Sequence, residues 1–201
     1  MIIAVTQRIE INPHRKEILD TLDQGLIKIL TQCGFIAIPV PNVLTETESR
    51  FPNALIKWLE YLQPKGIVLS GGQDRGVHAE RDQTEALLLE FAKKNKLPLL
   101  GICRGMQMMG VWTGGRLQNV SGHVKSRHKI TGEINDEVNS FHNLSFVNCP
   151  PGYEILAQSE DGSIEAIKHK KLPWQGWMWH PEREKPFSGA DLERIKKIFK
   201  N

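Results

Sequence analysis

Residues 98–107 read PLLGICRGMQ. The first half, residues 98–102, is a short apolar run of the kind that forms buried strands, and Cys103 follows it directly, ahead of a helical segment. A strand that passes straight into a helix is typical of proteins in which helices cover both faces of a parallel sheet. This stretch therefore predicts a parallel strand with Cys103 at its carboxyl end.

The same alternation of strands and helices extends toward the amino terminus. Apolar runs predict strands over residues 2–6, 35–40 and 66–70, and helical spacing predicts helices over residues 12–34, 53–62 and 79–95. We expect the first helix to begin at Asn12-Pro13, because Asn is a favourable cap and Pro suits the first helical position. Gly34 is expected to end it.

Beyond Gly115 the pattern changes to short strand-like runs with few helical segments between them. They lie near residues 128–134, 144–147, 154–158, 164–168 and 175–179. We expect them to add antiparallel strands to the sheet, and residues 189–200 to form a closing amphipathic helix. The predicted fold is an α/β three-layer sandwich with a mostly parallel, flavodoxin-like central sheet, formed by one domain over residues 1–201.

Composition limits the functions that are possible. The net charge of +3 over 201 residues is too small to indicate nucleic-acid binding, and the apolar run at residues 1–6 is too short for a signal peptide or a membrane span. The three cysteines lack C-x-x-C spacing, and no acidic cluster or histidine-rich spacing suggests a metal site. We expect a cytoplasmic protein that acts on a small molecule without a metal or an organic cofactor.

Three segments with reactive groups follow predicted strands. They are SGGQD at residues 70–74, GICRG at residues 101–105 and WMWHPE at residues 177–182. Ligands of open parallel sheets bind outside the carboxyl ends of the strands, so all three segments are expected at one edge.

The segment at residues 101–105 has the form G-x-C-x-G, the thiol counterpart of a nucleophile elbow, in which a tight turn lifts the nucleophile out of the sheet. The dipole of the following helix would favour a Cys103 thiolate. The alternative is that Cys103 is a small buried apolar residue, which is how we interpret Cys33 and Cys149.

The other two segments offer groups that a thiol nucleophile needs. His180 could act as base and acid, with Glu182 beyond Pro181 orienting the imidazole, and the alternative is an incidental surface loop. The backbone N–H groups of Gly72 and Arg104 could stabilise an oxyanion, whereas the alternative is a plain glycine turn.

Together, these segments resemble class I glutamine amidotransferase domains over about residues 1–185. The resemblance implies a catalytic triad of Cys103, His180 and Glu182 and an oxyanion hole from Gly72 and Arg104. It also implies that Gln107 helps to hold a glutamyl group and that no cofactor is needed.

Residues 71–74, Arg81-Asp82 and residues 138–142 are similar to the γ-glutamyl hydrolase branch of that superfamily, peptidase family C26. This similarity implies hydrolysis of a γ-glutamyl amide through a γ-glutamyl thioester. The implied contacts with the glutamyl group come from Gly71, Ser140, Phe141 and His142.

A basic segment, HVKSRHK at residues 123–129, suggests a site for a phosphate-bearing leaving group, with Lys125, Arg127 and His128 as its contacts. The alternative is a solvated, positively charged loop. The chain is also similar in length and motifs to branch members that act in bacterial capsule phosphoramidate biosynthesis. That similarity implies cleavage of N5-(cytidine 5'-diphosphoramidyl)-L-glutamine to cytidine diphosphoramidate and L-glutamate.

Two other functions remain open at this point. The chain could be a glutaminase subunit that supplies ammonia to a partner synthase. It could also be a binding module that has lost catalysis, although the presence of Cys103, His180 and Glu182 together argues against that. The sequence leaves open whether Arg8, after the first strand, faces the site.

Overall fold

The computed structural model describes residues 1–45 and 53–200. In these residues the chain forms thirteen strands: β1 Ile2–Thr6, β2 Arg8–Asn12, β3 Glu17–Thr21, β4 Ile36–Val40, β5 Gly66–Leu69, β6 Leu99–Ile102, β7 Leu117–Asn119, β8 Val124–Gly132, β9 Asp136–Phe141, β10 Leu144–Phe146, β11 Tyr153–Ser159, β12 Ile164–His169 and β13 Trp174–Trp177. The α-helices in the same residues are α1 Gln24–Gln32, α2 Ala54–Leu62, α3 Ala79–Asn95, α4 Arg104–Trp112 and α5 Gly189–Lys200. Two 3-10 helices span Asn42–Thr45 and Pro181–Arg183.

Nine strands form the central sheet in the order β4-β1-β5-β6-β13-β12-β11-β8-β9. The strands from β4 to β13 are parallel, and each later pair, from β13·β12 to β8·β9, is antiparallel. The predicted α/β class, with a parallel sheet and antiparallel additions, is therefore confirmed. Because β5, β6 and β13 are adjacent and parallel, the residues that follow them meet at one edge of the sheet.

Each face of the sheet is covered by helices that bury one apolar side. On one face, α1 and α5 contribute side chains to a core with the sheet: Leu26, Ile29, Leu30, Ile195, Ile198 and Phe199. On the other face, α2, α3 and α4 do the same: Leu55, Leu59, Leu88, Leu89, Met106 and Met109. The result is the predicted three-layer arrangement. Within the described ranges, no helix combines the length and the apolar character that crossing a membrane requires.

The helix predicted from Asn12 is wrong over its first half. Residues 8–21 form the antiparallel hairpin β2–β3 instead, and α1 begins only after Asp23, whose carboxylate accepts a hydrogen bond from Gly25 N–H. Asn12 caps the hairpin turn rather than a helix, since its side-chain oxygen accepts from the next backbone N–H groups, at His14 and Arg15. Ile18 is 74% exposed, so the helical spacing found there buries nothing. Strand β9 was also missing from the predicted strands.

Candidate active site

Cys103 lies at the turn between β6 and α4 with φ 49° and ψ −107°, a backbone conformation that costs a non-glycine residue about 1–3 kcal/mol. Two contacts hold the turn: Cys103 N–H donates to Trp177 O at 2.7 Å, and Gln107 N–H donates to Cys103 O at 3.1 Å. The flanking glycines are required by space. A methyl group at Gly101 would collide with the Met109 sulfur, and one at Gly105 with the backbone of β5.

His180 and Glu182 follow β13, the neighbour of β6. His180 Nδ1 lies 2.6 Å from Glu182 Oε1, and both side chains are buried. Burial by itself would lower the pKa of His180, but hydrogen bonding with Cys103 and Glu182 raises it to about 9. An imidazole with that pKa carries a proton at neutral pH, which suits it to protonate a leaving group.

Asn139, on strand β9, fixes the backbone of His180. Its side-chain oxygen accepts from His180 N–H at 2.9 Å, and its amide donates to His180 O at 2.9 Å. The same amide donates to Glu184 Oε1 at 2.7 Å. Sequence reasoning assigned no role to Asn139, although it stands in the stretch at residues 138–142 that resembles the hydrolase branch. An asparagine inside a predicted strand is expected to have hydrogen-bond partners if it is buried. That general rule is the only indication of its role in the sequence.

The loop after β5 is held by Arg81, which is buried on α3. Arg81 Nη2 donates to Ser70 O at 2.8 Å and to Gly71 O at 3.0 Å. The O and H atoms of a trans peptide point in opposite directions, so the N–H of Gly72 points away from Arg81. Gly72 has φ 145°, and any side chain there would collide with Arg81 and Arg8. A methyl group at Gly71 would meet the His180 ring.

The side chain of Arg104 belongs to a buried ion cluster beneath the turn. It pairs with Glu85 and with Asp82, and Glu85 also accepts from Arg81 Nε at 3.2 Å and from Thr6 Oγ1 at 3.0 Å. Two cations balance two carboxylates, as buried charges require. The guanidinium of Arg104 therefore links α4 to α3 through Nη1 and Nη2, and the predicted oxyanion role falls to its backbone N–H.

The residues predicted to contact a glutamyl group differ in their exposure to solvent. Phe141 is partly exposed and meets the His180 ring edge-on at 5.9 Å between centroids. Gln107 is buried, with its amide donating to Leu144 O at 3.3 Å and its Oε1 without a partner in the described part of the chain. Ser140 donates to His123 O at 2.7 Å.

The ring of His142 is directed into the interior. Its Nδ1 lies 3.1 Å from Leu144 O, and its Nε2 lies 3.4 Å from Glu165 Oε1. Ser140 and His142 are both almost completely buried, so the position of neither side chain supports the predicted contact with the glutamyl group.

The structure does not bring the basic segment together as a phosphate site. Lys125 is exposed, and Arg127 is already paired with Glu184 at 2.8 Å and Glu137 at 3.4 Å. His128 turns inward, with Nε2 3.5 Å from Glu165 Oε1. Two of the three side chains have carboxylate partners within the protein, so this arrangement lends no support to joint binding of a leaving group by Lys125, Arg127 and His128, which stays a prediction.

A different pair of cations borders the catalytic groups. Arg8 and Arg183 line a small cleft together with Gly71, His180 and Glu182. The guanidinium of Arg183 also lies 4.5 Å above the ring of Phe141, in a cation–π contact. Arg8 therefore lies beside the His180–Glu182 pair, a placement that the sequence left open, and its Nη2 is 3.9 Å from Glu10 Oε1.

Comparison with known proteins agrees with this geometry. The family model described as "Glutamine amidotransferase class-I" matches residues 17–195. The chain belongs to this family. The family match confirms the predicted resemblance to class I glutamine amidotransferases. Together with the hydrolase relative described next, it also confirms the prediction that the protein is an amidohydrolase.

Individual relatives agree with the family assignment. A γ-glutamyl-CDP-amidate hydrolase of Campylobacter jejuni is 30% identical over 96% of this chain and 95% of its own length. One subunit of the glutamine-hydrolyzing GMP synthase of Thermococcus kodakarensis is 32% identical over 68% of this chain and 76% of its own length. Among solved structures, a glutamine amidotransferase of Thermotoga maritima has a TM-score of 0.66 and 16% identity, and the match covers 98% of this chain and 82% of that one. The last match supports the fold alone.

Proposed function

We propose that the protein hydrolyses the γ-glutamyl amide bond of a glutamine conjugate, with Cys103 as nucleophile. The observation that carries this proposal is the position of Cys103 on a strained turn after β6, beside the neighbouring strand β13, which leads to a His180 ring that is bound to Glu182. A thiol, an imidazole and an orienting carboxylate are the groups that amide hydrolysis through a thioester needs. We place the reaction in the reducing cytoplasm, in keeping with three free cysteines.

The reaction proceeds in two halves. The Cys103 thiolate adds to the γ-carbonyl carbon, and the N–H groups of Gly72 and Arg104 receive the oxyanion. His180 gives its proton to the departing nitrogen, the C–N bond breaks, and a γ-glutamyl thioester remains on Cys103. Water then loses a proton to His180 and attacks the thioester carbonyl, the C–S bond breaks, and L-glutamate leaves while the Cys103 thiolate and the protonated His180 are restored. Glu182 holds the His180 ring in one orientation throughout.

For the leaving group we propose a nucleoside diphosphoramidate, with N5-(cytidine 5'-diphosphoramidyl)-L-glutamine as substrate and a place in capsule phosphoramidate biosynthesis. Two observations support it. Arg8 and Arg183 border the cleft beside His180, and guanidinium groups bind phosphate oxygens well. The similarity to a γ-glutamyl-CDP-amidate hydrolase spans almost the whole of both chains.

A substrate panel tests this proposal. Release of glutamate is measured from glutamine, γ-glutamyl-γ-aminobutyrate, a γ-glutamyl peptide and the cytidine diphosphoramidyl conjugate, each with wild-type protein and with Cys103→Ala. We expect kcat/KM to be highest for the conjugate and turnover to be absent in the variant. Turnover of every amide by Cys103→Ala would overturn the mechanism, and a strong preference for free glutamine would overturn the choice of leaving group.

A second candidate is a glutaminase subunit that supplies ammonia to a partner synthase, and similarity to one subunit of a GMP synthase favours it. Such a subunit depends on its partner for full activity. This function predicts weak hydrolysis of every conjugate by the isolated chain, and glutaminase activity that rises when the partner is added. Efficient hydrolysis of a conjugate by the chain alone would exclude it.

A further inference from the structure

A second group of reactive side chains lies apart from Cys103, around the carboxylate of Glu165 on β12. Three imidazole nitrogens surround one of its oxygens, Oε1. His123 Nδ1 lies 3.3 Å away, His142 Nε2 3.4 Å and His128 Nε2 3.5 Å. The four residues lie between positions 123 and 165 and are brought together by the pairing of β8, β9, β11 and β12.

The atoms that face one another in this group are buried and lack partners. Within residues 1–45 and 53–200, no hydrogen bond is made by the three ring nitrogens or by either oxygen of Glu165. Glu165 is 0% exposed. Buried polar atoms are almost always bonded, and a buried carboxylate is unfavourable unless a positive charge accompanies it. Glu165 therefore needs a positive charge beside it, which a protonated imidazole or a bound metal ion can supply.

Two of the histidine rings, those of His123 and His142, also have a partner at the nitrogen that points away from Glu165. These outer contacts determine which nitrogen of each neutral ring carries the hydrogen and which has the lone pair. His123 Nε2 lies 2.9 Å from Asp161 Oδ2, and His142 Nδ1 lies 3.1 Å from Leu144 O. A carboxylate and a carbonyl only accept, so these ring nitrogens carry the hydrogen. In the neutral rings, the inner nitrogens are then acceptors directed at a carboxylate, which is also an acceptor. Metal-binding histidines characteristically have this outer hydrogen bond to an oxygen.

We propose that His123, His128, His142 and Glu165 bind one divalent transition-metal ion, with zinc as the best match. Three imidazoles and one carboxylate are ligands that Zn²⁺ prefers. Ligand atoms about 2.0–2.1 Å from a tetrahedral zinc lie roughly 3.4 Å apart, and the three distances to Glu165 Oε1 match that value. The ligand atoms of His123, His128 and Glu165 all lie within 4.8 Å of one another, and His142 Nε2, outside that group, would move toward the other imidazoles to become the fourth ligand.

The charges and the burial indicate a structural ion. Glu165, and Asp161 behind His123, supply two negative charges to balance a divalent cation. With His142 as the fourth ligand, no position would remain open for substrate or water, which distinguishes structural zinc sites from catalytic ones. No sequence motif marks this site, because its ligands are not spaced regularly along the chain.

The ion would act on the active site through β9. His123 O accepts from His142 N–H at 3.0 Å and from Ser140 Oγ at 2.7 Å, which ties the group to the end of that strand. Asn139 on the same strand holds the backbone of His180. A metal at this position would therefore stabilise the strand that positions the catalytic imidazole.

Cobalt substitution tests the site directly. The full-length chain is prepared without a metal-affinity tag, dialysed against a chelator and titrated with Co²⁺, while its visible absorption and metal content are measured. We expect one Co²⁺ per chain, the strong visible bands of a tetrahedral site, and their loss when Zn²⁺ is added. A wild-type chain that binds no metal and shows no such bands would overturn the proposal, and protons would then hold the cluster.

Four variants locate the ion. Glu165→Gln removes a ligand and is expected to weaken Co²⁺ binding at least tenfold. Asp161→Asn removes the charge of the outer partner of His123, keeps an oxygen that can accept from Ser159 Oγ and Ser163 N–H, and should weaken binding about 10–100-fold. Because Asp161 is half exposed, this variant gives an answer even if Glu165→Gln fails to fold. His14→Ala, in the exposed hairpin turn, and Cys103→Ser should bind as wild type does. Bands that disappear in Cys103→Ser and persist in Asp161→Asn would place the metal in the active site and refute the proposal.

Discussion

The two sides of the candidate active site are built by different means. On the nucleophile side, Cys103 is placed by a five-residue turn whose glycines leave no space for any other residue. On the histidine side, His180 is placed by Asn139, which lies 41 residues earlier in the chain and on another strand. The nucleophile is therefore specified locally, and the imidazole depends on the pairing of the antiparallel half of the sheet. Substitutions on the two sides should fail in different ways.

The largest effect is expected from Cys103 itself. Cys103→Ser should lower kcat for the preferred γ-glutamyl amide by about 10⁴-fold or more, since the triad acts as one unit. The free energy of unfolding should change little, because the side chain is nearly isosteric. Steady-state glutamate release and urea unfolding measure the two quantities. Cys149→Ser is the matched control and should keep wild-type kcat. Comparable losses in both variants would mean that Cys103 has no special role.

The next effect tests the local character of the nucleophile side. Gly105→Ala should destabilise the protein by about 3 kcal/mol, because its methyl group meets the backbone carbonyl of Leu69 rather than a side chain that can move. Gly189→Ala is the matched control: nothing lies near its added methyl group, and the change should be neutral or slightly stabilising. Urea denaturation of both variants gives the comparison, and equal stabilities would show that the turn has more freedom than the packing indicates.

The same contrast explains what could be predicted from the sequence. The G-x-C-x-G turn and the strand before it follow from neighbouring residues, so the fold class and the place of Cys103 were predicted. Asn139 and Glu165 act across strands, and their partners are fixed only when the sheet forms. The hairpin at residues 8–21 shows the same limit, because Ile18 has helical spacing without a surface to bury. The basic segment can be read from the sequence, but the partners of its side chains cannot. The carboxylates that pair with Arg127 come from other segments of the chain.

A third experiment examines the histidine side. Asn139→Ala removes both hydrogen bonds to the His180 backbone, and we expect kcat to fall about 10–100-fold with KM nearly unchanged, because the imidazole loses its alignment with the reacting bond. If Asn139 contributed to stability alone, the variant would contain a smaller fraction of active protein, and its pH profile would match that of the wild type. Active-site titration of the thiol therefore accompanies the kinetics. Asn148→Ala, at an exposed position, is the control and should match wild type in both measurements.

The pH profile sharpens the account of His180. Because hydrogen bonding with Cys103 and Glu182 raises its pKa to about 9, the protonated ring persists at neutral pH and is lost as the pH rises through that value. The profile of kcat/KM should fall on the alkaline side near pH 9. In Glu182→Gln the charge that favours the imidazolium is removed while burial still opposes it, so this limb should move to lower pH. An alkaline limb that stays in place in Glu182→Gln would show that another group controls it.

The smallest expected effect concerns the leaving group and decides between two sets of cations. Arg8 and Arg183 border the cleft beside His180, while Arg127 in the basic segment is already paired with Glu184 and Glu137. Arg183→Ala should raise KM for the cytidine diphosphoramidyl conjugate by about tenfold or less, the size of one charge-assisted contact at a partly exposed site. It should leave KM for free glutamine unchanged, because ammonia as leaving group carries no anionic group. Lys125→Ala is the control and should alter neither value. If Lys125→Ala instead impaired binding of the conjugate and Arg183→Ala did not, the phosphates would be bound by the basic segment, and β8 would have to rearrange when substrate binds.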